Sequence, residues 1–319
     1  MAINVNLSIG LRAWIADNLA RGAPPAAMIE ALVSRNFDPA VAGGLIDAFI
    51  SAQAGGRPLP ELKVRLDMEA PRYVYEAPRI APGHVIRACD REIRVLQRLQ
   101  SPVLATLERV LSDEECERLI GMARPRLRRS TVIDAPTGAD VTVDRRSSEG
   151  MFFRLRENPF IAQIDERLAV IMNCPAESGE GLQVLHYGPG GQYPPHFDFL
   201  VPSSPASSRS IARSGQRIST LIVYLNDVIE GGETLFPEAG LSVVPRRGNG
   251  LYFEYTNSRM QVDLRSAHGG APVIRGEKWI VTKWMRSRKF VPASDSQGGA
   301  TDAAASTAVH GRVEASAKK

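Results

Sequence analysis

The chain has 319 residues, 44% hydrophobic and 23% charged, with a formal net charge of +4, three cysteines and five histidines. That length allows one large domain with an appendage, or two domains, and the hydrophobic share suffices for a sizeable core. No apolar run approaches the ~20 residues of a membrane helix, the charge is too small and too spread for a nucleic-acid face, and Cys89, Cys116 and Cys174 are too scattered for a disulfide framework or a zinc ribbon.

Met1–Leu19 lacks the basic segment and apolar core of a secretory signal. Scattered thiols fit a reducing compartment, so the expected location is the cytoplasm. The first fifty residues carry helical spacing: Leu11, Trp14, Ile15 and Leu19, then Met28, Ile29, Leu32 and Val33. Asp38 before Pro39 reads as an N-cap leading into Val41, Leu45, Ile46 and Phe49. Residues 1–50 are thus expected to form a small helical appendage, suited to docking on a partner or on the rest of the chain. Residues 51–100 read as linker and lead-in, broken by Gly55, Gly56, Pro58, Pro60, Pro71, Pro78, Pro82 and Gly83.

From residue 101 the character changes. Ser112 and Glu115 form a capping box ahead of Cys116, Leu119 and Ile120. A second helix is expected over Pro159–Met172, with Ile161, Ile164, Leu168 and Ile171 on one face. Beyond Leu182, short apolar runs (Ser219–Leu225, Leu241–Pro245, Gly250–Tyr255, Lys278–Met285) alternate with turn clusters. This predicts a mainly β domain with flanking helices, α+β in class, built as a sandwich or jelly roll. Residues 291–319, rich in Ala, Ser and Gly, read as a disordered tail.

Three histidines fall in the β region. On a strand, His196 and Asp198 point to one face, and Phe197 to the other. That triplet is common, and alone it reads as a structural histidine. With His268 it becomes two histidines and a carboxylate, the facial set of non-haem Fe(II) oxygenases, although zinc hydrolases use the same ligand types. Lys278 follows the turn Arg275-Gly276-Glu277 and shares a strand face with Ile280, Thr282 and Trp284. It could hold the far end of a metal-chelating dicarboxylate; otherwise it is a surface lysine. His186, next to Tyr187 on a strand, should point away from it, and His84 and His310 fall in linker and tail, where both should be solvated.

The stretches Gly181–Tyr187, Gly188–Leu200, Gly231–Pro237 and Ser266–Met285, with Leu111–Cys116 and Arg146–Phe153, closely resemble prolyl 4-hydroxylases of the collagen and plant type. These are Fe(II)- and 2-oxoglutarate-dependent dioxygenases, and the likeness spans about residues 101–290. The resemblance implies a double-stranded β-helix (jelly-roll, cupin-like) core, with His196, Asp198 and His268 as iron ligands. It implies Lys278 on the distal carboxylate of 2-oxoglutarate, with Tyr187 and Thr234 as further contacts. Arg146, Ser148, Glu180, Tyr193, Arg217 and Trp284 would line a peptide groove. Fe(II), 2-oxoglutarate and O2 are the implied cofactor and cosubstrates, and ascorbate the reductant. The implied substrate is a proline-containing peptide, hydroxylated at C4, with no nucleic-acid or membrane partner.

Aromatic walls at Tyr193 and Trp284 suit a stiff polyproline II ligand. One stretch departs from the family: Val201–Gln216 is serine-rich and carries Arg209 and Arg213, where relatives are acidic or contain asparagine. Two other readings keep the same triad: a hydroxylase of a free amino acid or other small molecule, and a non-catalytic sensor of metal and dicarboxylate.

Overall fold

The computed structural model describes residues 2–35, 37–67, 73–129, 132–133, 140–141, 148–202 and 205–293. His310 lies outside them, as does the tail from residue 294. The chain divides into two units, Met1–Arg72 and Tyr73–Lys319.

The first unit contains strand β1 (Ala2–Asn6), helices α1 (Ile9–Ala20), α2 (Pro25–Val33) and α3 (Pro39–Ala54), and strand β2 (Lys63–Asp67). Asp38 caps α3 as its sequence position predicts, accepting from the backbone N–H groups of Ala40 and Val41. Ile15, Leu32, Leu45, Ile46 and Phe49 form the core beneath the helices. The sequence reading missed the antiparallel ribbon of β1 and β2. Its second strand lies in the stretch read as linker, yet buries Val64 and Leu66 in the same core.

The second unit begins with β3 (Val85–Ala88), β4 (Arg91–Gln100) and β5 (Val103–Glu108), so the end of the stretch read as linker and lead-in holds two paired strands. Helix α4 (Asp113–Ala123) starts at the complete Ser112/Glu115 capping box. Short strands β6 (Arg128–Arg129), β7 (Val132–Ile133) and β8 (Asp140–Val141) lead to β9 (Ser148–Phe153) and helix α5 (Pro159–Ile171). Then follow β10 (Leu182–Tyr187), β11 (Tyr193–His196), helix α6 (Pro205–Ser214) and β12 (Arg217–Tyr224). The unit closes with β13 (Glu230–Gly231), β14 (Thr234–Phe236), β15 (Leu241–Val243), β16 (Gly250–Glu254), β17 (His268–Gly270), β18 (Val273–Arg275) and β19 (Lys278–Arg286).

These strands form a nine-stranded sheet in the order β3-β4-β5-β16-β12-β19-β10-β9-β6, and a four-stranded sheet in the order β11-β17-β14-β15. Chain-order neighbours β10 and β11 lie in different sheets, as do β16 and β17, so the chain alternates between layers in the jelly-roll manner. Two cores follow from strand alternation. Leu182 and Val184, Leu221 and Val223, and Trp279, Val281 and Met285 face α4 and α5, where Leu119, Ile161, Ile164 and Leu168 meet them. The alternate residues Leu185 and Tyr187, Ile222 and Tyr224, and Ile280 face inward and pack with Phe236, Phe253 and Tyr255. The inward set carries the site described below. Among the described residues no helix is long and apolar enough to cross a membrane.

One expectation differs in detail: Arg275 still belongs to β18, which pairs with β13, so the turn before Lys278 is only Gly276-Glu277, with Gly276 at φ 93°. The serine-rich stretch 201–216 holds helix α6. Arg288 donates to the carbonyls of Ile211 and Ala212 at its last turn, and Arg286 to the carbonyl and hydroxyl oxygens of Ser210.

Candidate metal and cosubstrate site

His196 and His268 stand directly opposite each other in the β11–β17 pairing, which puts both imidazoles on one face with ring centres 4.4 Å apart. Gly269 makes the approach possible. A Cβ there would lie 2.8 Å from the Tyr193 carbonyl oxygen and 3.0 Å from the Pro195 nitrogen. β11 carries Pro194 and Pro195 at the edge of its sheet, the position where missing donors cost least.

Each imidazole is oriented by its own chain. His196 Nδ1 is 3.1 Å from the Pro194 carbonyl oxygen, and His268 Nδ1 is 3.1 Å from that of Ser266. A carbonyl only accepts, so Nδ1 carries a proton in both rings, and Nε2 is the nitrogen placed to bind a metal. Tyr193 stacks on His196 at 3.9 Å, and Phe253 packs against His268 at 4.5 Å.

Asp198 completes the set in a way the strand rule did not anticipate. β11 ends at His196, and a bend, not the pleat, returns Asp198 to the histidines. The bend is held by Gln216, whose side chain exchanges two 2.7 Å hydrogen bonds with the backbone of Leu200, and by Arg217, which donates to the Asp198 carbonyl. Asp198 Oδ1 lies 3.7 Å from His196 Nε2, and Oδ2 3.6 Å from His268 Nε2. One donor atom from each of the three buried residues falls within 4.8 Å of the others, an arrangement that could hold a metal ion. Burial would raise the Asp198 carboxyl's pKa. The two imidazoles, Arg217 and a hydrogen bond from Thr220 outweigh it and hold the carboxyl below its ordinary range.

The triad opens into a cleft of about 580 Å³, its mouth included, lined also by Tyr187, Tyr193, Thr234, Lys278 and Trp284. Register explains the gathering. Tyr187 pairs with Lys278 across β10–β19, and Thr234 with Gly270 across β14–β17. Lys278 is only 4% exposed and makes no hydrogen bond or ion pair among the described residues. Burial pushes its ammonium down to about 8, partly offset by Glu233. A buried cation with no hydrogen bond or ion pair among the described residues, beside a three-donor metal site, fits a dicarboxylate that chelates the metal at one end.

Not every expected groove residue lines the cleft. Glu180 and Arg217 form a buried two-bond pair, with the guanidinium 4.1 Å from the centre of the Trp284 ring. They support the aromatic wall from behind. Ser148 is buried on β9 opposite Tyr187 and does not line the cleft. Arg146 lies outside the described residues.

The sequence reading missed Gln183 and Ile222, which line the cleft through the same inward alternation, and Thr282, which it had placed on the Lys278 face without a role. It also missed Thr220, Tyr224 and Tyr255, whose hydroxyls lie behind the lining: Thr220 reaches Asp198 at 2.7 Å and Tyr224 reaches Thr234 at 2.8 Å. Their β-strand parity was a usable signal, but their partners lie on other strands. His186, one residue from Tyr187, points the opposite way as expected, between Glu149 and Glu277 and against Trp279. His84 is exposed.

Residues 182–286 match the 2OG-Fe(II) oxygenase superfamily. Prolyl 4-hydroxylase 1 of Arabidopsis thaliana is 44% identical over 203 residues, covering 59% of this chain and 70% of that protein. Probable prolyl 4-hydroxylase 3 of the same plant is 43% identical over 199 residues, covering 56% and 68%. Among solved structures, the viral collagen prolyl hydroxylase of Paramecium Bursaria Chlorella virus-1, in its 2OG complex, aligns at a TM-score of 0.46 and 28% identity, covering 58% of this chain and 96% of that one. With the relatives covered over two thirds of their length and the donor set in place, the chain belongs to the prolyl 4-hydroxylase family of 2OG-Fe(II) oxygenases, and its reaction uses Fe(II), 2-oxoglutarate and O2.

Proposed function

We propose that this chain hydroxylates proline residues of a peptide at C4, with conversion of 2-oxoglutarate to succinate and CO2. The observation that carries this reading is the polarity of one cleft. Lys278, with no hydrogen bond or ion pair among the described residues, belongs to its lining, as do the aromatic residues Tyr193 and Trp284 and the three donors.

His196 Nε2, His268 Nε2 and a carboxylate oxygen of Asp198 would hold the metal, and three such ligands would leave positions for cosubstrates. When bound, Fe(II) with 2-oxoglutarate and O2 supplies the oxidising power for C–H hydroxylation. The chain's own work is placement. Lys278 meets the distal carboxylate, with Tyr187 and Thr234 as further contacts, and Leu185, Ile222 and Ile280 keep water from that region. Tyr193 and Trp284 flank the proline ring and set which C–H bond is presented. Arg217 and Glu180 brace Trp284, and Arg146 is assigned to the substrate by likeness to the family alone. Ascorbate serves as reductant.

The remaining assignments follow the sequence. Residues 101–290 hold the chemistry, the helices of residues 1–50 dock a partner, and the location is the cytoplasm. A pull-down with the full chain and with a chain lacking the helices tests the docking role.

Succinate release with a panel of proline-rich peptides and free proline, followed by mass spectrometry, tests the function. One oxygen atom gained by a peptide's proline is the expected result. Oxygen gained by free proline alone would overturn the peptide reading.

A further inference from the structure

Asp198 is the one ligand of the triad with two equivalent donor atoms, and the structure treats them differently. Oδ2 takes a hydrogen bond from the Thr220 hydroxyl at 2.7 Å, whereas Oδ1 accepts none among the described residues. A carboxylate has no proton to give, so the Thr220 proton must point to Oδ2. Thr220 Oγ1 is also 3.1 Å from the Tyr255 hydroxyl. With its proton committed, Thr220 can only accept there, and Tyr255 donates. The result is a one-way chain from Tyr255 through Thr220 to Asp198 Oδ2. Thr220 and Tyr255 are both fully buried, and neither lines the cleft.

We propose that Thr220, oriented by Tyr255, is a positioning residue that makes Asp198 a one-oxygen ligand through Oδ1. This inference rests on the metal assignment made under Proposed function. Turning the carboxylate to put both oxygens on an ion would break the Thr220 bond, and a hydrogen-bonded oxygen is the poorer donor. Denticity matters because three single-atom ligands on an octahedral ion leave three positions. A two-oxygen aspartate would take one of them and leave too few for a chelating 2-oxo acid and O2. Thr220 thus acts on cosubstrate binding more than on metal binding.

The test uses the full chain without oxygen. Fe(II) affinity is measured by calorimetry, and 2-oxoglutarate is then titrated while the visible metal-to-ligand charge-transfer absorption is followed. Thr220→Val is expected to bind Fe(II) nearly as the parent does but to bind 2-oxoglutarate about tenfold or more weakly, with the absorption diminished. Thr220→Ser, which keeps the hydroxyl, should restore both, and Tyr255→Phe should fall between. Parental 2-oxoglutarate affinity and absorption in Thr220→Val would overturn the inference, as would outright loss of Fe(II) from a folded Thr220→Val chain. If Thr220→Val does not fold, Tyr255→Phe decides, and unchanged cosubstrate affinity there overturns the inference. Failure of the parent chain to bind Fe(II), or undiminished binding in His196→Ala, would instead overturn the underlying metal assignment.

Discussion

Lys278 and Tyr187 face each other across β10 and β19, with Lys278 Nζ 5.7 Å from the centre of the Tyr187 ring. The Tyr224 ring centre lies 5.8 Å from the same ammonium. An ammonium held among aromatic rings, with no carboxylate bonded to it, is costly to the fold and useful to a dianionic ligand. Lys278→Met should therefore separate the two. Relative to its ordinary value of 10.5, the folded-state pKa is lowered to about 8, so the charged form destabilises the fold by up to about 3 kcal/mol at neutral pH. The variant should melt at the same temperature or higher, while its 2-oxoglutarate requirement rises about a hundredfold. Calorimetric melting and a 2-oxoglutarate saturation curve check both. A lower melting temperature with unchanged saturation would make Lys278 structural.

The same residue predicts a pH dependence. Below pH 8 the lysine is already charged and cosubstrate affinity should be flat. Above it, binding must take up a proton, so the dissociation constant should rise about tenfold per unit. Fold stability moves the other way. The unfolded chain holds the Lys278 proton up to about 10.5 and the folded chain only to about 8, so this lysine's contribution to stability increases between those values. Isothermal titration of the metal-loaded chain from pH 7 to 9 measures the first effect.

His196→Ala or Asp198→Ala should reduce peptide-dependent succinate formation to background and lower bound iron. Asp198→Ala should also lower the melting temperature, because it leaves the buried Thr220 hydroxyl without its acceptor. Iron content and succinate are measured on the same preparation. Retention of both would remove the residue from the metal site.

Glu180 bridges two buried guanidiniums, with two hydrogen bonds from Arg217 and Arg286 Nε at 3.6 Å. Glu180→Gln leaves that positive charge without its buried counter-charge, and should cost about 3–5 kcal/mol in urea unfolding. A loss below about 1 kcal/mol would show the site reached by water.

His186→Phe is the matching control on strand parity. The residue adjoins Tyr187 in sequence but packs on Trp279 at 4.3 Å, on the helix side of the sheet. Its half-exposed carboxylate partners contribute at most about 1 kcal/mol. Activity should stay within about twofold of the parent. A large loss in succinate turnover would mean that the two faces of β10 communicate.

Parity also explains how much of the site was legible in the sequence. His268, Lys278 and Trp284 could be placed because strand alternation and motif spacing both speak for them. Asp198 was identified for the wrong local reason, since a bend held by Gln216 and Arg217 does what the pleat was expected to do. Such long-range hydrogen bonds have no local signature. The β1–β2 ribbon escaped for a related reason: its strands are far apart in sequence, and glycine and proline between them read as linker. Thr220 and Tyr255 looked like ordinary strand residues, because only register places them behind Asp198.

Tyr224 offers the last such case. It is fully buried on the inward face of β12, and its hydroxyl meets Thr234 Oγ1 at 2.8 Å; burial raises the phenol's pKa, keeping it a neutral hydrogen-bonding group. If that bond fixes the threonine rotamer toward the cosubstrate, Tyr224→Phe should raise the 2-oxoglutarate dissociation constant by about three- to tenfold, the worth of roughly 1 kcal/mol for one buried hydrogen bond. Metal affinity should not change, because Tyr224 approaches none of the three donors. Thr234→Val should cause a similar loss, and the double variant should add little to either, since both remove the same contact. Fully additive losses in a double-mutant cycle would show that the two hydroxyls act separately.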